Sequence, residues 1–169
     1  MGKKLQVLSP VSPGGELTTI HNGNISSYEL DWEATSILFS DGSTIQEIDV
    51  DGTNLRKLKG PDKEDSSKRY NPCRMPCGDI MFVSTACEHA VPCTGGGGVG
   101  NMHVMDRDGN NERRITYDQD HNWDPCVLNN GRVVYARWEY TDLPHYFSRL
   151  LMSMNPDGTD QKEYYGSAS

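Results

Sequence analysis

Three near-identical corners constrain this chain more than any other feature. IQEIDVDGTNLRKL (45–58), MHVMDRDGNNERRI (102–115) and LMSMNPDGTDQKEY (151–164) each set an Asp-Gly pair between two alternating, strand-like runs. Glycine supplies the positive φ that a tight hairpin needs, so the frame predicts strand, turn, strand. LQVLSPVSPGGELTTI (5–20) shares the outline, with Gly14-Gly15 in the same role after two extra residues. A second unit precedes each Asp-Gly frame: DWEATSILFS (31–40), MPCGDIMFVS (75–84) and LNNGRVVYAR (128–137). Each is a turn followed by a short aliphatic and aromatic run, the composition of a strand buried on both faces.

The order is therefore a hairpin followed by three rounds of strand pair plus hairpin. Four short strands every ~40–50 residues is the pattern of a propeller blade. The expected fold is all-β, a partial β-propeller of about three and a half blades, each of four antiparallel strands. Residues 1–22 are the hairpin of a leading partial blade and 23–60 a blade. Residues 61–118 are a blade with a long inserted loop, and 119–169 a final blade. The 17 glycines and 9 prolines suit so many turns. An array left open would expose sheet edges and apolar faces, so its expected partners are the remaining blades of a longer propeller or further copies of itself.

DRDGNN also has the look of a calcium loop. With Gly109 at position six of an EF-hand, Val104 falls at position one and Ile115 at position twelve, and neither side chain ligates calcium. The frame recurs as DVDGTN and NPDGTD between strand-like runs, which is the behaviour of a turn.

Charge and hydropathy exclude other classes. A formal net charge of −8 with no clustered basic face argues against nucleic acid. No apolar run approaches the ~20 residues of a membrane span, so no membrane insertion is expected. MGKKLQVLSP has two lysines but no apolar run behind them, so no signal peptide is read in this chain.

Where the repeat breaks, function has room to sit. TACEHAVPCTGGGGVG (85–100) is a long insertion carrying Cys87, His89 and Cys93. Its glycine run precedes neither Lys-Ser/Thr nor a helix, so it reads as a connector and not a phosphate cradle. Cys87 and Cys93 would pin the loop as a disulfide in an exported protein, and free buried thiols are the second reading. A metal held by Cys87, His89 and Cys93 is the third, lacking the CxxC spacing usual for structural zinc. Five cysteines cannot all pair within the chain.

The second break is EYTDLPHYFS (139–148). His121, Asp124, Arg137 and Glu139 lie on the approach loop and inner strands of the last unit, where a propeller borders its channel. They are candidates for a polar ligand pocket. Equally, Asp124 would cap a turn, Trp123 would pack between blades, and Arg137 would pair with Glu139 on one strand face. Trp138, Tyr140, His145, Tyr146 and Phe147 are candidates for an aromatic ligand surface, with Trp138, Tyr140 and Tyr146 as its carbohydrate-binding form and inter-blade packing as the other use.

MHVMDRDGNNERRIT and MNPDGTDQKEYYGS resemble the TolB-type propeller repeat. DQDHNWDPCVLNNGRVVYARWEYTDLPHYFSRLLMSMNPDGT is similar to the middle domain of large exported bacterial proteins of the hydrazine synthase alpha subunit family. The resemblance covers nearly all of the chain and is strongest over about 101–166. It implies a propeller from a periplasmic or extracellular protein, in which redox chemistry belongs to c-type haems in flanking regions. Cys73-x3-Cys77 is not CxxCH, so no cofactor is expected in this chain. The expected function is a non-catalytic scaffold or interaction module of an exported protein, and the alternative that the resemblance implies is the propeller part of such a redox enzyme.

Overall fold

The computed structural model describes residues 3–61, 65–87, 89–91, 98–139 and 149–166, and every regular element among them is a strand. The first sheet is a hairpin, β1 (Lys4–Ser9) with β2 (Glu16–Asn22). Three four-stranded antiparallel sheets follow, each ordered as in the chain. One is β3 (Ser27–Leu30), β4 (Ser36–Ser40), β5 (Ile45–Asp49) and β6 (Arg56–Lys59). The next is β7 (Arg69–Arg74), β8 (Ile80–Ser84), β9 (Asn101–Met105) and β10 (Arg113–Arg114). The last is β11 (Asn122–Val127), β12 (Val133–Arg137), β13 (Leu150–Met154) and β14 (Lys162–Tyr165). These are propeller blades, preceded by a half-blade. Among the described residues no helix is long and apolar enough to cross a membrane.

Two-residue periodicity drives the stacking. Along β4, Ile37 and Phe39 face back to the hairpin, meeting Leu5 and Ile25, while Leu38 faces forward to Ile80 and Phe82 of β8. Along β8, Met81 and Val83 face forward in turn and meet Val133 and Tyr135 of β12. A strand clamped this way is buried on both faces, which explains the apolar run Ile80–Val83 and the burial of all five residues of β8. Each such side chain contributes about 1.5–3 kcal/mol by leaving water.

The Asp-Gly corners recur with one geometry. Gly52, Gly109 and Gly158 have φ of 87°, 86° and 89°. Asp49 N–H donates to Thr53 O at 3.0 Å and Gly52 N–H to Asp49 O at 2.9 Å, and the same two bonds form at 106–110 and 155–159. The carboxylates serve the turn. Asp51 Oδ1 accepts Thr53 N–H at 2.8 Å, and Asp106 Oδ1 accepts Asp108 and Asn110 N–H at 3.0 and 2.9 Å. The turn reading of DRDGNN accounts for these residues.

Two local expectations are corrected. Gly14-Gly15 does not repeat the corner: neither glycine has positive φ, and the turn is made by Ser12 N–H on Pro10 O and Gly15 N–H on Ser12 O. HNWDP (121–125) is not an approach loop, and YNPC (70–73) holds the equivalent place one sheet earlier. They lie largely within the first strands β7 and β11, which bulge at Asn71 and Asp124, each with φ of 49°. Proline in a strand normally argues against it, but Pro72 and Pro125 sit at bulges on edge strands, where no ladder donor is lost.

Candidate functional site

The residues singled out in the last sheet fall into three separate places. His121 stands at the start of β11, where Gly100 N–H donates to its Nδ1 at 3.0 Å. Its ring stacks on Trp123 (centroids 5.0 Å apart, 13° between planes) and on Trp138 (6.1 Å, 14°). The Arg149 guanidinium lies 5.3 Å from the Trp123 ring and 5.2 Å from that of Trp138. Burial pushes the His121 pKa down and Arg149 adds to this against the pull of Asp120, so the imidazole is neutral at pH 7. Trp138 is buried with Val91 and Val99, and Cys87 and Trp123 pack against them. The cluster thus grips the base of the long loop, which is also closed by an Ala90–Gly98 bridge and by Cys87 Sγ on Val99 O at 2.8 Å.

Arg137, at the end of β12, is held from three sides. Its Nη2 lies 2.7 Å from Asp118 Oδ1, its Nε 3.0 Å from Glu139 Oε1, and its Nη1 donates to Gln161 Oε1 at 3.3 Å. The other Asp118 oxygen accepts Asn122 Nδ2 at 2.7 Å. Tyr135, buried in the same region, donates to Gln161 Oε1 at 3.2 Å, and burial raises its phenol to about 12. Both oxygens of the central carboxylate are engaged within the fold, an arrangement that locks register between the second and third complete sheets.

Asp124 sits apart from both groups. Asn71 Nδ2 of the preceding first strand donates to its Oδ1, while Asn71 N–H donates to Ser27 Oγ of β3 at 2.8 Å. Arg74 N–H donates to Glu29 Oε2 at 2.6 Å. The three first strands are thereby tied rung to rung around a shallow depression of about 220 Å³, lined by Ser27, Glu29, Asn71, Asp124 and Cys126 among others. Burial raises the Glu29 pKa and pushes the neighbouring Cys73 thiol up.

The structure therefore joins Arg137 to Glu139 and His121 to Trp138, and it does not bring His121, Asp124 and Arg137 together. Tyr140, His145, Tyr146, Phe147 and Cys93 lie outside the described residues, so the Cys87–Cys93 pairing and the aromatic surface do as well. His89 rests with its ring nitrogens 3.2 Å from Cys87 O and 3.3 Å from Asp118 O. Among the described residues no group of three or more His, Cys, Asp or Glu is placed to hold a metal.

Sequence reasoning missed Asp118, Arg149 and Glu112. Glu112 lies 3.1 Å from Arg69 Nη2, 3.3 Å from Lys59 Nζ and 3.2 Å from His103 Nδ1, at the interface of the first and second complete sheets. Its one sequence signal is a carboxylate just beyond an Asp-Gly corner, where the other two corners carry Leu55 and Gln161.

No protein-family model and no curated protein matches the chain. Solved structures do. TolB from Acinetobacter baumannii superposes with a TM-score of 0.62 at 12% identity, over 99% of this chain and 42% of that one. Hydrazine synthase from Kuenenia stuttgartiensis gives 0.65 at 15% identity, over 91% and 27%. Oligogalacturonate lyase from Vibrio parahaemolyticus gives 0.64 at 12%, over 90% and 44%. The chain spans less than half the length of each of these proteins. Its fold is that of a TolB-like β-propeller.

Proposed function

We propose that the chain is a non-catalytic β-propeller segment that acts as a scaffold or interaction module of an exported protein. The observation that carries this reading is the use made of the polar candidates. Arg137, Asp118 and Glu139 staple neighbouring strands and sheets, His121 is stacked between two indoles, and Asp124 ties two inner strands. Placement outside the cytoplasm is supported by the resemblance to exported proteins. Its partners, on this reading, are the remaining blades of a longer propeller or further copies.

The test has two arms. Arg137→Ala and His121→Ala lower the free energy of unfolding, Arg137→Ala by about 1–3 kcal/mol because it leaves Asp118 without its cation. If both leave stability unchanged, the staple reading fails. The isolated chain also binds an apolar-surface dye or associates in sedimentation velocity. A compact monomer that binds no dye would overturn the module reading.

A further inference from the structure

The base of the long insertion between β8 and β9 is closed first by its own backbone. Val99 N–H donates to His89 O at 2.8 Å, and Ala90 bridges to Gly98. A side chain then ties this base to a different part of the chain. His89 Nε2 lies 3.3 Å from Asp118 O, in the link between β10 and β11, while its Nδ1 lies 3.2 Å from Cys87 O. Asp118 O also accepts Asn101 Nδ2 at 3.2 Å, so the imidazole docks where the start of β9 already meets that link.

Both partners of the ring are carbonyl oxygens, which accept hydrogen bonds and never donate them. A neutral imidazole has one N–H and satisfies one of the two. Its other nitrogen then turns a lone pair toward an oxygen. The imidazolium has two N–H groups and satisfies both. With both nitrogens turned to carbonyls, neither is left to ligate a metal in this arrangement.

We propose that His89 is an acid-closed clasp: a proton taken up by its ring fastens the base of the inserted loop to the Asp118 segment, and loss of that proton releases it. The fastened state holds one proton more than the released state. The clasp therefore strengthens as pH falls through the titration of the ring and weakens as pH rises. The titratable groups on the surrounding elements have other partners. The Asp118 carboxylate is taken by Arg137 and Asn122, and Arg137 also meets Glu139. The Cys87 thiol donates to Val99 O, and His121 Nδ1 accepts Gly100 N–H. Among the described residues no carboxylate pairs with the His89 ring, so the two carbonyls set its preference. The clasp does not rest on the module reading, and it holds for a scaffold and for part of an enzyme alike.

The Val99 amide is the probe, because its N–H donates to His89 O. Its hydrogen-exchange protection factor, from which the intrinsic pH dependence of exchange is divided out, is measured in the full chain. It rises about three- to tenfold from about pH 8 to about pH 5, the worth of one added hydrogen bond over the range where histidine changes charge. His89→Gln, which keeps a donor but does not titrate, flattens the rise. His21→Gln, at a histidine of the leading hairpin, leaves it intact. Chelator-treated protein shows the same rise. A flat profile in the parent chain, or a rise that survives His89→Gln, overturns the clasp. So does a rise lost on chelation, since a metal would then be holding the loop. Should His89→Gln fail to fold, nitrogen NMR of the parent ring decides at the acid end: two N–H protons shielded from solvent exchange support the clasp, and rapid exchange of either refutes it.

Discussion

Ala34→Gly raises stability, and the three blades supply the internal comparison that makes this quantitative. The turn between first and second strands is built the same way each time. Ala34, Gly78 and Gly131 donate their N–H to Asp31, Met75 and Leu128 O at 3.1, 2.9 and 2.8 Å. Their φ values are 54°, 95° and 81°. Two blades use glycine for this left-handed residue and one uses alanine. Holding an L-residue there costs roughly 1–2 kcal/mol, and glycine's greater freedom in the unfolded chain takes back about 0.5–1. Ala34→Gly therefore gains about 0.5–1 kcal/mol, and Gly78→Ala and Gly131→Ala each lose a similar amount or slightly more. No neighbour lies within 4 Å of a Cβ at 78 or 131, so no steric clash contaminates the comparison. Urea unfolding with an unchanged m-value reads the difference, and thermal unfolding shifts by about 2–4 °C per kcal/mol. A neutral or harmful Ala34→Gly, or a Gly78→Ala without cost, would refute the claim that backbone conformation sets the residue at this corner.

Gly109→Ala is more damaging than Gly78→Ala, by roughly 2–4 kcal/mol in total, because its Cβ meets Leu58 O at 2.1 Å and backbone cannot step aside. Equal unfolding midpoints for the two variants would contradict this. Burial pushes the Glu112 carboxyl up, but the proximity of His103 and Arg69 outweighs it and holds the pKa to about 2. A depressed folded pKa adds stability above the unfolded value near 4.5, and that contribution is lost as pH falls toward 2. Glu112→Gln removes this slope from the acid side of a stability–pH profile. If the profile between those values is unaltered, the network is not as drawn. With Cys73 buried and Cys77 and Cys126 exposed, native iodoacetamide labelling reaches Cys77 and Cys126 well before Cys73. Peptide mapping that finds Cys73 labelled first would show the inner strands opening.

The corners and the second strands were legible because their causes are local. Left-handed backbone selects Gly52, Gly109 and Gly158, and burial on two faces selects the unbroken run Ile80–Ser84. Asn71 and Asp124 were not legible as strand residues. Each precedes a proline, and both the left-handed φ and the missing donor read as loop until a neighbouring first strand is in place to use the bulge. Gly14-Gly15 misled for the opposite reason. Gly15 is required by close approach, a Cβ there meeting Pro10 O at 2.1 Å, and composition cannot separate that need from positive φ. Of the candidate site, the Arg137–Glu139 pair was readable from its two-residue spacing. Its stronger partner was not, since Asp118 reaches Arg137 across eighteen intervening positions that only the fold closes.

The polar residues at the sheet interfaces have a task that apolar packing cannot perform. Every blade presents much the same alternating apolar faces, so a sheet displaced along its neighbour, or stacked on the wrong one, would still bury hydrocarbon. The ion pairs break that degeneracy because they are not repeated. The first interface joins Arg74 to Glu47 at 2.6 Å, while the second joins Arg137 to Asp118 at 2.7 Å. A misplaced sheet would leave Glu47 or Asp118 desolvated opposite no cation, a larger penalty than the pair's own net contribution. Such pairs add little to stability and much to the order of the blades. They are the residues a repeated sequence varies to keep its array in register, and the absence of convergence among His121, Asp124 and Arg137 follows from that use.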